Sequence, residues 1–219
     1  MCCMESVIDA KWLVFLAQLP AAPSSARVAA WRRLKAAGAV GLTNGAWLLP
    51  ATKAHGALFA QLTDTVRLQG GNALVFAGQP VGAGERDDLV ARFRSDRGRE
   101  YDEFAGRATG LLAEIDRETA AGKFMFAELE EVEADFEKLT AWLDKIRARD
   151  FFPDEREAEA AALLTRCAAA LRVFAASVYE NEGAADRADA APPRSAKRAQ
   201  RPAGKRQRVL GRRRQDAAR

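Results

Sequence analysis

The apolar positions change period along the chain, and the changes divide it into three sections. From Trp12 to Leu19 every residue except Gln18 is apolar, and the run stops at Pro20. A short apolar run closed by proline predicts a central strand. Apolar and basic residues then mix at helical spacing, with Ser24 or Ser25 able to cap the helix and Gly38 placed to end it. Val28, Trp31 and Leu34 fall at i, i+3 and i+6, so they are expected to face the core. Two apolar runs, 39–42 and 46–49, flank Thr43-Asn44-Gly45, and Asn-Gly is a strong hairpin signal. A second helix is expected from about Thr52 to Leu68, stopped by Gly70-Gly71, with a last strand over 72–77. The order β-α-β-β-α-β is the split βαβ plan of the ferredoxin-like fold, with its helices on one face of an antiparallel sheet. The expected class is α+β, with this unit spanning 11–80.

Residues 84–183 have the period of helices throughout. Leu89, Phe93, Tyr101, Phe104, Ala108, Leu111 and Ile115 form the stripe of a long helix, with Gly98 marking an expected break. Leu129, Val132, Phe136, Leu139, Leu143 and Ile146 recur at spacings of 3, 4, 3, 4 and 3, the alternation of a heptad seam. Asp150-Phe151-Phe152-Pro153 ends that helix, and Leu164, Cys167, Leu171, Phe174 and Val178 mark the next. A seam this short fits an antiparallel helical hairpin or bundle within one chain better than a coil that holds a homodimer, the other arrangement it allows. Residues 184–219 are Ala, Arg, Pro and Gly with almost no large apolar side chain. Such a composition cannot offset chain entropy by burial, and a disordered Arg-rich tail is expected.

Charge separates the sections further. Of 34 Lys and Arg, 12 lie in 184–219, against 3 of the 30 Asp and Glu, so the tail carries about +9 and the body about −5. The basic pI therefore belongs to the tail and says nothing of the body's partners. That tail reads either as a polycationic arm for nucleic acid or as an incidental solubilising extension. Three cysteines without a CxxC, and His55 as the single histidine, argue against a metal centre, and no cofactor is expected. Cys167 sits on an apolar stripe as a small core residue. The run 12–19 is too short for a secretory leader, and no stretch approaches ~20 consecutive apolar residues, so the expected setting is cytoplasmic without a membrane.

Several segments together resemble one family. Trp12 to Pro20, Ala26-Arg27-Val28-Ala29-Ala30-Trp31-Arg32-Arg33-Leu34-Lys35, Gly38-Ala39-Val40 and Gly45-Ala46-Trp47-Leu48-Leu49-Pro50 resemble the N-terminal domain of the ChrB chromate-resistance regulators. So do Phe126 to Glu131, Lys138 to Leu143 and Lys145 to Phe152, over a likeness that runs from about Trp12 to Val178. The resemblance implies a repressor of a chromate-efflux operon whose N-terminal part contacts DNA and whose separate C-terminal domain serves the resistance response. Here the basic tail stands where that second domain would follow.

With the core assigned to Val28, Trp31 and Leu34, the cations Arg32, Arg33 and Lys35 point away from it and Arg27 lies at its edge. Arginine suits phosphate because its planar fork donates two hydrogen bonds at once. Arg27, Arg32, Arg33 and Lys35 are thus the candidate contacts to double-stranded DNA. The alternative is a solvated helix face neutralised by carboxylates of the helical section. Arg147 and Arg149, near a helix C-terminus, are either favoured there by the helix dipole or form a second phosphate or oxyanion site, with chromate as the oxyanion. Trp12, Trp31, Trp47 and Trp142 read as core or interface anchors. Enzymatic chemistry finds no support: the first strand ends without a carboxylate, His55 lies in no motif, and the acids Glu128, Glu130, Glu131, Glu133 and Asp135 fit a solvated helix face. Two further readings remain open, a protein-interaction module acting through the helical section and an oxyanion sensor.

Overall fold

The computed structural model describes residues 12–19 and 24–189, with side chains to residue 183. Four strands are present: β1 (Trp12–Gln18), β2 (Val40–Thr43), β3 (Ala46–Pro50) and β4 (Asn72–Gly78). Five helices connect and follow them: α1 (Ser24–Ala36), α2 (Lys53–Leu68), α3 (Ala83–Ala120), α4 (Phe126–Arg147) and α5 (Glu155–Asp189). The sheet order is β2-β3-β1-β4 with every neighbouring pair antiparallel. That is the split βαβ arrangement, and the class is α+β, as the periodicity predicts.

Local chemistry sets the boundaries. Gly38 takes φ +78 after α1 and Gly45 takes φ +79 in the hairpin, both left-handed conformations that favour glycine. A Cβ on Gly45 would also meet the carbonyl oxygen of Ala17 on β1. The Thr52 hydroxyl accepts the His55 backbone N–H at 3.1 Å and caps α2.

Side-chain alternation along β1 divides the core. Phe15, with Leu13 and Ala17, faces α1 and α2 and packs with Leu34, Leu49, Phe59, Leu62 and Val66. Trp12 and Val14 face the opposite side, where Val40, Leu48, Phe93 and Phe152 close over them. Trp12 is 3% exposed and stacks on Phe93 at 5.5 Å and Phe152 at 5.7 Å. This aromatic knot fastens the sheet to α3 and to the loop before α5. The first half of α3 thus covers the face that α1 and α2 leave open.

The helical section is an antiparallel three-helix bundle. Leu129, Val132, Leu139, Leu143 and Ile146 of α4 are buried against Phe104, Ala108, Leu111 and Ile115 of α3 and Cys167, Phe174 and Val178 of α5. The heptad seam is consumed within the chain. Cys167 is buried and its thiol donates to the Ala108 carbonyl at 3.4 Å, and burial pushes its pKa up.

Two expectations change. Helix α3 runs unbroken through Gly98, whose missing side chain leaves room for the guanidinium of Arg156. Helix α5 continues to Asp189, past the expected boundary at 183. The segment 190–219, with most of the expected tail, lies outside the described residues, as do Cys2 and Cys3. Helix α5 holds, within residues 155–183, an 18-residue stretch apolar enough to cross a membrane by length and composition alone, with a mean hydropathy of 1.5. Its apolarity is largely alanine. Ala160, Cys167, Phe174 and Val178 form the one stripe that α5 buries in the bundle.

Candidate nucleic-acid interface

Helix α1 lies differently from its expected orientation. Its buried residues are Ala30 and Leu34, while Val28 is 43% exposed and Trp31 is 50% exposed. Ala30 and Leu34 occupy the sheet-facing positions of the helix, so the bulky Trp31 is left at the rim. Assigning Trp31 and Val28 to the core was wrong for that reason. An open apolar cleft of about 530 Å³ results, lined by Val28, Trp31, Trp47 and Leu19 with Arg27 at its edge.

The rotation redistributes the four candidate cations. Arg27 and Arg32 are exposed. Arg33 turns toward α2, where its Nη2 donates to Gln61 Oε1 at 2.7 Å. Lys35 reaches past the β2 edge to α3, and its Nζ lies 2.9 Å from Asp96 Oδ2 and 5.9 Å from the Trp47 ring centroid. One of the four is therefore neutralised by a carboxylate of the helical section, as the alternative reading of this face required. Arg27, Trp31 and Arg32 are exposed on α1.

Both residues of the second pair are held in ion pairs. Arg147 Nε lies 2.7 Å from Glu157 Oε1, and Arg149 Nη2 lies 2.7 Å from Glu100 Oε2. Glu100 is shared with Arg97, which is 3% exposed and approaches Glu100 Oε1 at 3.0 Å through Nη1. That contact is an ion pair without a hydrogen bond, and Arg97 Nε and Nη1 and Arg149 Nε make no hydrogen bond. This network sits at the joint between bundle and sheet. Tyr101 belongs to it: its hydroxyl donates to Asp150 Oδ2 at 3.0 Å, and burial together with that carboxylate raises its pKa far above the usual phenol value.

Sequence reasoning missed the cations that α3 adds. Arg92 and Arg99, at i and i+7, flank Ser95 and Asp96 on one face of α3 and line a groove with Lys35, Val40, Gly41 and Trp47. Their spacing places them on one side of a helix, but only the long-range contact of Lys35 with Asp96 reveals that this side meets α1. His55 is structural: its Nδ1 is 2.7 Å from the Pro50 carbonyl, which can only accept, and its ring packs edge-on against Phe151. Among the described residues, no group of three or more His, Cys, Asp or Glu could hold a metal ion. Of the other tryptophans, Trp12 is core. Trp47 and Trp142 are half-buried, the latter under Arg107 at 5.6 Å.

Comparison with known proteins identifies the family. The family model described as Protein ChrB, N-terminal, matches residues 27–185. A curated relative, Protein ChrB of Cupriavidus metallidurans, is 30% identical over 160 residues, covering 72% of this chain and 45% of the relative. The match therefore takes in less than half of that protein's length. No solved structure matches. On the family model and on this relative together, the chain belongs to the ChrB N-terminal family.

Proposed function

We propose that this chain is the DNA-contacting part of a transcriptional regulator of chromate resistance, with α1 laid along the backbone of duplex DNA. The observation that carries the reading is the exposed run of Arg27, Trp31 and Arg32 on α1. Family membership supports a role in chromate resistance. Two guanidinium forks on consecutive turns can each clamp a phosphate, and a half-exposed indole between them can pack on sugar edges. Arg33 and Lys35, held by Gln61 and Asp96, contribute to positioning and local field.

The test is fluorescence anisotropy with labelled duplex from upstream of the chromate-resistance genes, across a salt series. The full chain, a version ending at Asp189 and Arg27→Ala/Arg32→Ala are compared. The reading expects sequence-dependent binding by the version ending at Asp189. The double variant should bind about tenfold or more weakly on every sequence, as phosphate contacts carry no base information. Equal affinity of double variant and parent would sink it. So would binding that only the full chain shows, without sequence preference, since the tail alone would then account for it.

A further inference from the structure

The β2 edge of the sheet borders a groove that neither α1 nor α3 forms alone. The last turn of α1 lies on one side and the middle of α3 on the other, with Val40 and Gly41 of β2 and the Trp47 ring between them. The groove is open and holds about 340 Å³. Three cations, Lys35, Arg92 and Arg99, line it against the single carboxylate of Asp96. Asp96 is approached by two of them, Lys35 at 2.9 Å and Arg99 at 3.3 Å. The groove therefore keeps a net positive charge of two. Arg92, Ser95 and Arg99 are exposed, and Arg99 is 75% so in its side chain. The other acids nearby lie outside the groove lining: Glu103 is held by Arg107 at 3.3 Å, Asp88 is one turn before Arg92, and Asp87, Asp102 and Asp154 line the neighbouring cleft that Ser95 and Arg99 also border. Arg32 is exposed on α1 one turn before Lys35, which lines the groove.

We propose that this groove is a second phosphate-backbone site for duplex DNA, with Arg92 and Arg99 as its clamps, Ser95 as a hydroxyl donor, and Asp96 as an internal stand-in for the phosphate. The inference rests on the reading of α1 as a DNA contact and extends it to a second element. A phosphate entering the groove takes over from Asp96 the charge-assisted bonds of Lys35 and Arg99, and gains Arg92 as well. Asp96 holds the cations in place before binding and opposes the incoming phosphate. Removing its charge should strengthen binding, the reverse of what loss of a structural ion pair would do.

The experiment uses the full chain, labelled upstream duplex and anisotropy over a salt series. Arg92→Ala/Arg99→Ala should bind about tenfold more weakly and lower the slope of log affinity on log salt by about two, one counterion for each lost phosphate contact. Asp96→Asn should bind several-fold more tightly than the parent. All these side chains are at least partly exposed, and an unchanged melting temperature checks each fold. If Arg27→Ala/Arg32→Ala weakens binding while Arg92→Ala/Arg99→Ala keeps the parental affinity and slope, the groove is overturned and the α1 reading stands. If Asp96→Asn weakens binding, the counter-charge role is overturned with the groove. A parent chain that does not bind duplex overturns both readings.

Discussion

Glu100→Gln puts the joint between sheet and bundle under a direct test. Glu100 lies between two guanidiniums, 3.0 Å from Arg97 Nη1 and 2.7 Å from Arg149 Nη2. Arg97 is almost wholly buried and already has two N–H groups without a hydrogen bond, so Glu100 is the carboxylate that balances it. Breaking a buried pair by removing one partner costs about 3–5 kcal/mol. Glu100 keeps 28% and Arg149 22% of side-chain exposure, so solvent screens part of this and we take about 2 kcal/mol. Urea denaturation followed by circular dichroism measures it, as a lower midpoint at unchanged slope. Arg97→Met/Glu100→Leu should cost less than the two single losses added, because it removes the buried guanidinium along with its carboxylate, while the part-exposed Arg149 still loses its partner. A Glu100→Gln midpoint equal to the parent's would refute the argument. Arg149 would then have no structural need of Glu100, and the oxyanion reading of Arg149 would gain ground.

Trp12→Ala should lose about 3–5 kcal/mol in the same assay, because it empties the stack on Phe93 and Phe152; a loss below about 1 kcal/mol would mean that the sheet and α3 are not fastened there. Gly38→Ala should cost about 2 kcal/mol, since φ +78 disfavours a side chain and the new Cβ would stand 3.0 Å from Arg149 Cβ and from the Arg149 carbonyl. Tyr101 and Cys167 both have raised pKa values when folded, so their neutral forms stabilise the fold fully below the unfolded pKa values, about 8.5 for the thiol and 10 for the phenol. Above those values the folded protein holds more protons than the unfolded chain, and stability must fall as pH rises. Tyr101→Phe should flatten the decline above about pH 10, while leaving Asp150 without its hydroxyl donor at a cost of about 1–2 kcal/mol near neutrality. A parallel decline in parent and variant would count against the assignment.

The elements were legible because their signals are local. Pro20 after an apolar run, Asn44-Gly45 between two short runs, Thr52 as a cap and the 3-4 alternation from Leu129 to Ile146 each constrain a few neighbouring residues. The packing of the α4 seam followed from the same logic, since an apolar stripe must be covered by something. Gly98 shows where that logic stops. Locally it weakens a helix, but here it clears space for Arg156 from 58 residues further on, and the helix passes through it.

The element order was legible in short-range signals, hydrophobic period and turn residues, and the split βαβ plan follows from that order. The sequence also marked α1 as a basic helix. Which face of α1 turns outward depended on packing across the sheet, where Ala30 and Leu34 take the covered positions and the larger Trp31 ring stays half-exposed. Only the tertiary structure joined Lys35 to Asp96 across 61 positions, and so brought Arg92 and Arg99 beside α1. Charge acts through space, and a list of residues does not say which cations share it.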